Sequence, residues 1–580
     1  MAFDATPRTA GETAAVPYSP SADALLRQAM ARATAGLDPA PNLTAAASWA
    51  NQLVRHPERL AALAADFGRG LAALAASGPA RADWSIKPNR DDKRFAAQEW
   101  ELPPYAHLAQ AQLFAEKLWR TACGPLPGLA EPDRRRLELL GRLSLGALSP
   151  SNWPATNPEV LAAAAKSGGR SLLEGAALWA RDLARAAAGR PLSGEDALTV
   201  GEDLAATRGK VVYRNRLMEL IQYDPTTPKV RPEPVLLVPA WIMKFYILDL
   251  TPETSLVRHL VEAGFSVFAI SWRNPGPEHR DLSLDDYRRE GVATALDLVR
   301  SICGARAHAV GYCLGGTLLA LEAARQGRDG ENGLASISLL AAQTDFEDAG
   351  DYRKLLTAAD VDALEALLSA QGVLEGWQMA ASFYALRPND MLWPRLVTRY
   401  LKGEAPAVDP LGAWLADTTR MPARMHVEYL RGCYLENRLA RGGIDADGAP
   451  ASLKDIRAPL FVLGAELDHI APWRSVQRIE LYAPGERTFL LTGGGHNTSV
   501  VSPPGKPKAW YRKTTAAAGA PYVPPEAVEA APRQDGSWWP AWTDWLADRS
   551  GPAERAAPAA RAFGELSVVE PAPGRYVRER

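Results

Sequence analysis

Three side chains far apart in the chain have the types and settings that nucleophilic acyl chemistry needs. Cys313 lies in "HAVGYCLGGTLLA" (308–320), a buried-strand pattern running into a glycine-flanked turn and then a helix. A thiol at the start of a helix feels unpaired N–H groups and the positive end of the dipole, which favour thiolate. Asp468 in "VLGAELDHIAPW" and His496 in "LLTGGGHNTSV" each follow an apolar strand-like run. Both therefore fall on loops at the carboxyl ends of strands, where ligands bind in open α/β sheets. A histidine there takes the proton of the thiol and a carboxylate orients the histidine. Glu466 and Asp455 are competing carboxylates. His469 reads as a packing or hydrogen-bonding neighbour of the acid, and His308 as a satisfied core histidine. His259 and His279 have no ligand pattern around them. The four cysteines (Cys123, Cys303, Cys313 and Cys433) stand in no metal-ligand spacing, so neither a metal nor another cofactor is expected.

Sulfur rather than oxygen narrows the reaction. If the acyl donor is itself a thioester, a cysteine exchanges one thioester for another at little cost, and the enzyme-bound acyl group stays activated. A serine would hold it as a less reactive oxygen ester. The thiol points to acyl transfer from a thioester such as an acyl-CoA more than to simple hydrolysis.

The elements that must position these groups are legible in the hydrophobic pattern. Gly311-Tyr312-Cys313-Leu314-Gly315 has the G-x-S-x-G form of the α/β-hydrolase nucleophile elbow with cysteine for serine, and Cys313, Asp468 and His496 follow that fold's order of nucleophile, acid and base. The runs "PVLLVPA", "FSVFAIS", "AHAVGYC", "SISLLAA", "PLFVLGAE" and "RTFLLTGG" are unbroken apolar stretches, which predict a mostly parallel sheet covered on both faces. "SLDDYRREGVATALDLVRSICG" predicts a helix capped by Ser283, with Asp286 three residues on and Gly304 past its end. The N–H of Leu314 is the expected oxyanion donor. A second comes from the loop after the first of these strands, around Trp241 or Ile242 in "VPAWIMKFY", of which Ile242 is taken as the donor. About 115 residues (346–458) separate the fourth and fifth strands, too many for a crossover, and read as a cap over the site.

Residues 1–20 read as disordered and 21–205 as mostly helical, with "SPSNWPATNPEV" (149–160) a structured connection. The catalytic α/β part spans 206–550 and a tail 551–580. A formal net charge of −2 with no basic cluster interleaved with aromatics argues against nucleic-acid binding. The cysteine usage fits a reduced, cytoplasmic setting. No secretory signal and no membrane span is expected.

Long, distributed motifs then carry a resemblance over roughly residues 85–580. "GYCLGGT", "PAWIMKFYILDLTPETSLVRHLVEAGFSVFAISWRNP", "DKRFAAQEW", "LSPSNWPATNPE", "ALRPNDMLW", "ELDHIAPW", "GSWWPAWTDWL" and "APGRYV" resemble the single-subunit, class I polyhydroxyalkanoate (poly(3-hydroxybutyrate)) synthases. The resemblance implies polymerisation of (R)-3-hydroxyacyl-CoA to polyester with release of CoA. Cys313 would carry the chain as a thioester and His496 would activate the thiol. Asp468 would orient His496 or help activate the attacking 3-hydroxyl. It also implies a homodimer at the surface of a polyester granule in the cytoplasm. In the cap, Arg387 is a candidate partner for a CoA phosphate, against a structural pair with Asp390. Trp414 is a candidate shield against water, and Trp241 a candidate substrate contact. Leu415 stands where the family commonly has Asn, Ser499 where it often has Gly, and "PAWIMK" replaces the commoner "PPWINK". All three departures are expected near the pocket. The alternatives are a cysteine-dependent thioesterase or polyester hydrolase on the same fold, and a granule-associated binding protein without turnover.

Overall fold

The apolar runs form a sheet because each is buried on both faces. In the computed structural model the strands β3 (Val235–Val238), β4 (Val267–Trp272), β5 (Ala307–Tyr312), β6 (Leu334–Leu340), β7 (Leu460–Ala465) and β8 (Arg487–Thr492) are buried at every position. The structure describes residues 39–580 apart from 79, 81–82, 89–91, 189–191, 193, 195–196, 387 and 406–408. The expected disordered start, the first part of the expected helical stretch (residues 21–38) and Arg387 lie outside the described residues.

The six strands pair in parallel in the order β4-β3-β5-β6-β7-β8. Antiparallel strands extend both edges. β1 (Gly209–Arg214) and β2 (Met218–Tyr223) lie beyond β4, and β9 (Trp510–Ala516) and β10 (Gln534–Asp535) beyond β8. The stretch after 551, read as a tail, belongs to this sheet. β11 (Phe563–Gly564) and β12 (Glu570–Pro571) both pair with β1, and Tyr576 and Val577 are buried. Two apolar clusters cover the two faces, the second built around Trp538, Trp539, Trp542 and Trp545.

Local signals place the crossovers. Ser283 accepts from Asp286 N while the Asp286 side chain returns to Ser283 N, and Gly304 ends the crossover helix at φ 63°. The N-terminal part contains the helices Pro39–Arg55, Pro57–Ala76, Tyr105–Ala122, Glu131–Ala147, Pro158–Lys166 and Arg170–Ala187. Asn157 caps the fifth of these and donates to Ser151 O at 2.6 Å, which ties down the Pro/Asn-rich connection before it.

The chain between β6 and β7 forms the cap, with helices Ala358–Gln371, Gly376–Leu386 and Ala423–Tyr429 and a short ribbon pairing Val373–Leu374 with Met421–Pro422. The N-terminal helices grip this cap. Arg399 pairs with Asp182, Lys402 Nζ with Glu159 at 2.8 Å, and Arg136 with Asp360 at 2.7 Å.

Candidate active site

The site is assembled at the carboxyl ends of β3, β5, β7 and β8. β5 runs straight into the helix Leu314–Arg328, and the turn between them holds Cys313 at φ 53°, ψ −125°. A non-glycine residue in that region is strained and held only by its surroundings. The glycines permit the close approach: a Cβ on Gly315 would lie 2.1 Å from Val238 O, and one on Gly311 2.3 Å from the Gly316 Cα. Leu314 is the first residue of the helix, so its N–H is among those that no intrahelical carbonyl takes.

β7 and β8 end in register, Ala465 opposite Thr492, which brings the Asp468 and His496 loops side by side. His496 Nδ1 donates to Asp468 Oδ2 at 2.6 Å, and both side chains are buried. The other carboxylate oxygen accepts from the N–H groups of Ile470 and Ala471, each at 2.9 Å, which fixes the acid. Burial alone would lower the His496 pKa. The charges of Asp468 and Cys313 and the hydrogen bonds to both outweigh it and hold the imidazole well above its ordinary value. With Nδ1 engaged by Asp468, Nε2 is the nitrogen left for the thiol. The structure thus brings together the three residues that the sequence singles out.

His496 opens the short helix His496–Val500, whose carbonyls are held from below. Trp538 Nε1 donates to Ser499 O at 2.8 Å and Trp539 Nε1 to Val500 O at 3.0 Å, while Lys506 Nζ reaches Val501 O at 2.7 Å. The indoles of "GSWWPAW" thus hydrogen-bond the helix that carries His496 as well as packing against the sheet. Ser499 is buried here, donating to His496 O at 3.0 Å. It sits near the pocket, on the helix of the lining residues His496 and Asn497, without being part of the wall itself.

The loop after β3 is positioned by its register and by the cap. Val238 stands opposite Gly311, so the loop lies beside the elbow. Thr419 Oγ1 donates to Trp241 O at 2.6 Å, Thr419 N to Ile242 O at 3.3 Å, and Trp414 Nε1 to Lys244 O at 2.7 Å. From the other side Lys244 Nζ donates to Tyr576 O and Glu579 O at 3.1 and 2.7 Å. Burial outweighs the nearby Asp417 and Glu579 and lowers the Lys244 pKa to about 8.

A cavity of about 150 Å³ opens over Cys313. Ile242, Leu314, Trp414 and Leu415 line it, with Met243, Met379 and Met421 supplying flexible apolar surface. Trp414 therefore both lines the cavity and braces the loop. Trp241 is corrected: its ring is buried against Tyr287 and Tyr429, at centroid distances of 5.5 and 6.2 Å, and is not part of the cavity wall. The backbone that presents Ile242 to the cavity turns the neighbouring side chain into the core. His469 lines the cavity, whereas His308 is buried between Ser336 Oγ and Ser550 Oγ at 2.7 and 2.9 Å. His426, on the cap helix Ala423–Tyr429, also lines the cavity, and nothing in its sequence spacing signals it. Among the described residues no cluster of three His, Cys, Asp or Glu side chains forms a metal site, and no helix is long and apolar enough to cross a membrane.

Comparison with known proteins identifies the family. Residues 91–260 match the family model for the poly-beta-hydroxybutyrate polymerase (PhaC) N-terminus, and residues 233–503 match that for the alpha/beta hydrolase fold. The chain is 40% identical over 538 residues to a poly(3-hydroxyalkanoate) polymerase of Methylorubrum extorquens, covering 90% of this chain and 88% of that one. It is 37% identical over 500 residues to the poly(3-hydroxyalkanoate) polymerase subunit PhaC of Cupriavidus necator, covering 84% and 83%. A similar subunit of Rhizobium meliloti is 38% identical over 500 residues, covering 85% and 80%. Matches of this extent run through the helical part, the cap and the sheet alike, and the chain belongs to the poly(3-hydroxyalkanoate) polymerase family.

Proposed function

We propose that this protein polymerises (R)-3-hydroxyacyl-CoA, with short acyl units such as 3-hydroxybutyryl, into polyester through a thioester on Cys313. The observation that carries the reading is a cysteine at a strained elbow beside a buried His496–Asp468 pair. His496 takes the Cys313 proton, and the thiolate adds to the thioester carbonyl of the donor. The N–H groups of Leu314 and Ile242 receive the developing oxyanion. Collapse breaks the carbon–sulfur bond to CoA, whose thiolate leaves with the proton held by His496. The 3-hydroxyl of a second hydroxyacyl-CoA then gives its proton to His496 as its oxygen attacks the acyl-Cys313 carbonyl. That step releases the Cys313 sulfur and lengthens the chain by one ester. Return of the chain to Cys313 frees the second CoA.

The apolar wall of Met243, Met379 and Leu415 supports an acyl unit beside Cys313, and the cap supports exclusion of water that would hydrolyse the thioester. The family supports a homodimer at the surface of a polyester granule in the cytoplasm. The experiment is CoA release from (R)-3-hydroxybutyryl-CoA with sizing of the acyl product. High-mass polyester, lost in Cys313→Ala, is expected. Free 3-hydroxybutyrate with CoA release would make the protein a thioesterase instead, and polymer formed by Cys313→Ala would remove the thioester mechanism.

A further inference from the structure

The cavity wall includes a buried histidine whose ring makes no hydrogen bond among the described residues. His426 is 3% exposed and lines the cavity, yet its Nδ1 has no hydrogen-bond partner among the described residues. Several other polar groups in the wall are already engaged. Thr317 Oγ1 donates to Gln343 O at 2.7 Å, Gln343 Nε2 to Ser475 Oγ at 3.1 Å, and Tyr312 Oη to Asn497 Oδ1 at 2.7 Å. A buried polar atom left unpaired costs about 1–3 kcal/mol, and such an atom in a native structure calls for an explanation. Burial lowers the His426 pKa to about 4, so the ring is neutral near pH 7 and has one N–H donor and one lone pair to offer.

The neighbours say what would complete it. Tyr429, one turn further along the same helix, is close enough to Cys313 for the thiol to influence its titration. His426 stands one turn back on that helix, in the wall of the same cavity as Cys313. An acyl group on Cys313 has its carbonyl at the oxyanion donors and its next oxygen on carbon 3, with apolar surface otherwise around it. We propose that His426 is a specificity-determining residue that hydrogen-bonds the oxygen on carbon 3 of the acyl unit. That oxygen is either the free 3-hydroxyl of a monomer or the same atom once esterified in the growing chain. The assignment rests on the polymerase reading above. It gives the unpaired ring a partner in a cap surface where Met379, Leu415, Met421 and Leu430 offer none. A site built to bond a hydroxyl rejects the analogue that lacks it, because its own polar group is then left unpaired.

The test compares His426→Phe, which keeps a flat ring without the nitrogens, with His426→Asn, which returns a polar atom near the Nδ1 position. Rates of CoA release in the first turnover are measured with (R)-3-hydroxybutyryl-CoA, butyryl-CoA and 3-acetoxybutyryl-CoA. The ratio of kcat/KM for the hydroxy over the plain ester is expected to fall at least tenfold in His426→Phe and to recover in part in His426→Asn. If the bond is made to the esterified oxygen, the fall appears in the ratio of the acetoxy to the plain ester instead. The Tm of the free His426→Phe protein should stay level or rise, because an unpaired buried atom is removed; a merely structural histidine would give the reverse. Unchanged ratios in both variants, or equal losses on all three esters with a lowered Tm, would overturn the proposal. No CoA release by the unaltered enzyme with any ester would overturn the polymerase reading, and this proposal with it.

Discussion

At the residue scale the site is a competition between desolvation and charge around His496. Removal from water disfavours the imidazolium, and Asp468 and Cys313 more than restore it. The direction matters for the thiol. A histidine whose charged form is held above its ordinary pKa readily keeps the proton that Cys313 gives up in the reaction. Asp468→Asn removes the largest favourable charge and lets an amide N–H face Nδ1, which favours the wrong tautomer. CoA release should fall on the order of 10³-fold. Alkylation of Cys313 by iodoacetamide at pH 7 should slow, its pH profile shifting towards higher pH. An unshifted profile would mean that Asp468 does not govern the charge on His496. Cys313, Asp468 and His496 were legible because each follows a run that only a buried strand explains. His426 was not, since its burial depends on how the cap folds over the sheet, which local spacing does not encode. Trp241 misled for the same reason: adjacent residues of one loop face opposite ways, Ile242 to the cavity and Trp241 to Tyr287 and Tyr429.

At the scale of elements, precision comes from supports placed far along the chain. The helix that carries His496 has only five residues, too short to hold itself by its own hydrogen bonds. Its carbonyls are taken instead by Trp538 and Trp539, about forty residues later, and the chain just after it by Lys506. Trp538→Phe leaves the ring's bulk largely in place but strands Ser499 O in a buried setting, a loss of about 1–3 kcal/mol. The variant should melt a few degrees lower and lose kcat several-fold with KM little changed, because the base is displaced while the cavity wall is not. A pure stability loss with kcat intact would show that the indole only packs. The six central strands could be read directly, being apolar throughout. β1 and β9 could not, because edge strands alternate and expose part of their length, as the half-exposed pattern of Trp510–Ala516 shows. The same holds for β11 and β12, each two residues long, which owe their pairing to β1 rather than to their own pattern. Ser283 and Gly304 were readable because caps are local chemistry.

At the scale of the whole molecule, the helical part is joined to the site by way of the cap. It meets the cap at the buried Arg399–Asp182 pair, where Tyr400 Oη also donates to Asp182 at 2.9 Å, and at Lys402–Glu159 and Arg136–Asp360. The Tyr400 carbonyl lies so close to Gly175 that a Cβ there would come within 2.1 Å of the oxygen, so the two parts pack backbone to backbone. The cap in turn clamps the loop that presents Ile242, through Thr419 and Trp414, and contributes His426 to the cavity. Loosening the grip of the helices should therefore reach the Ile242 loop. Removing one member of a buried ion pair strands the other charge and costs about 3–5 kcal/mol, whereas removing both costs less than the sum. Asp182→Ala and Arg399→Met should each lower Tm by several degrees, and the double variant by clearly less than the two together. If the helices hold the cap in its working position, kcat for CoA release should follow the same non-additive pattern, with the double variant more active than the product of the single losses predicts. Should Tm follow the cycle while kcat stays level in all three, the helical part would be a stabilising neighbour of the cap with no hand in placing the Ile242 loop.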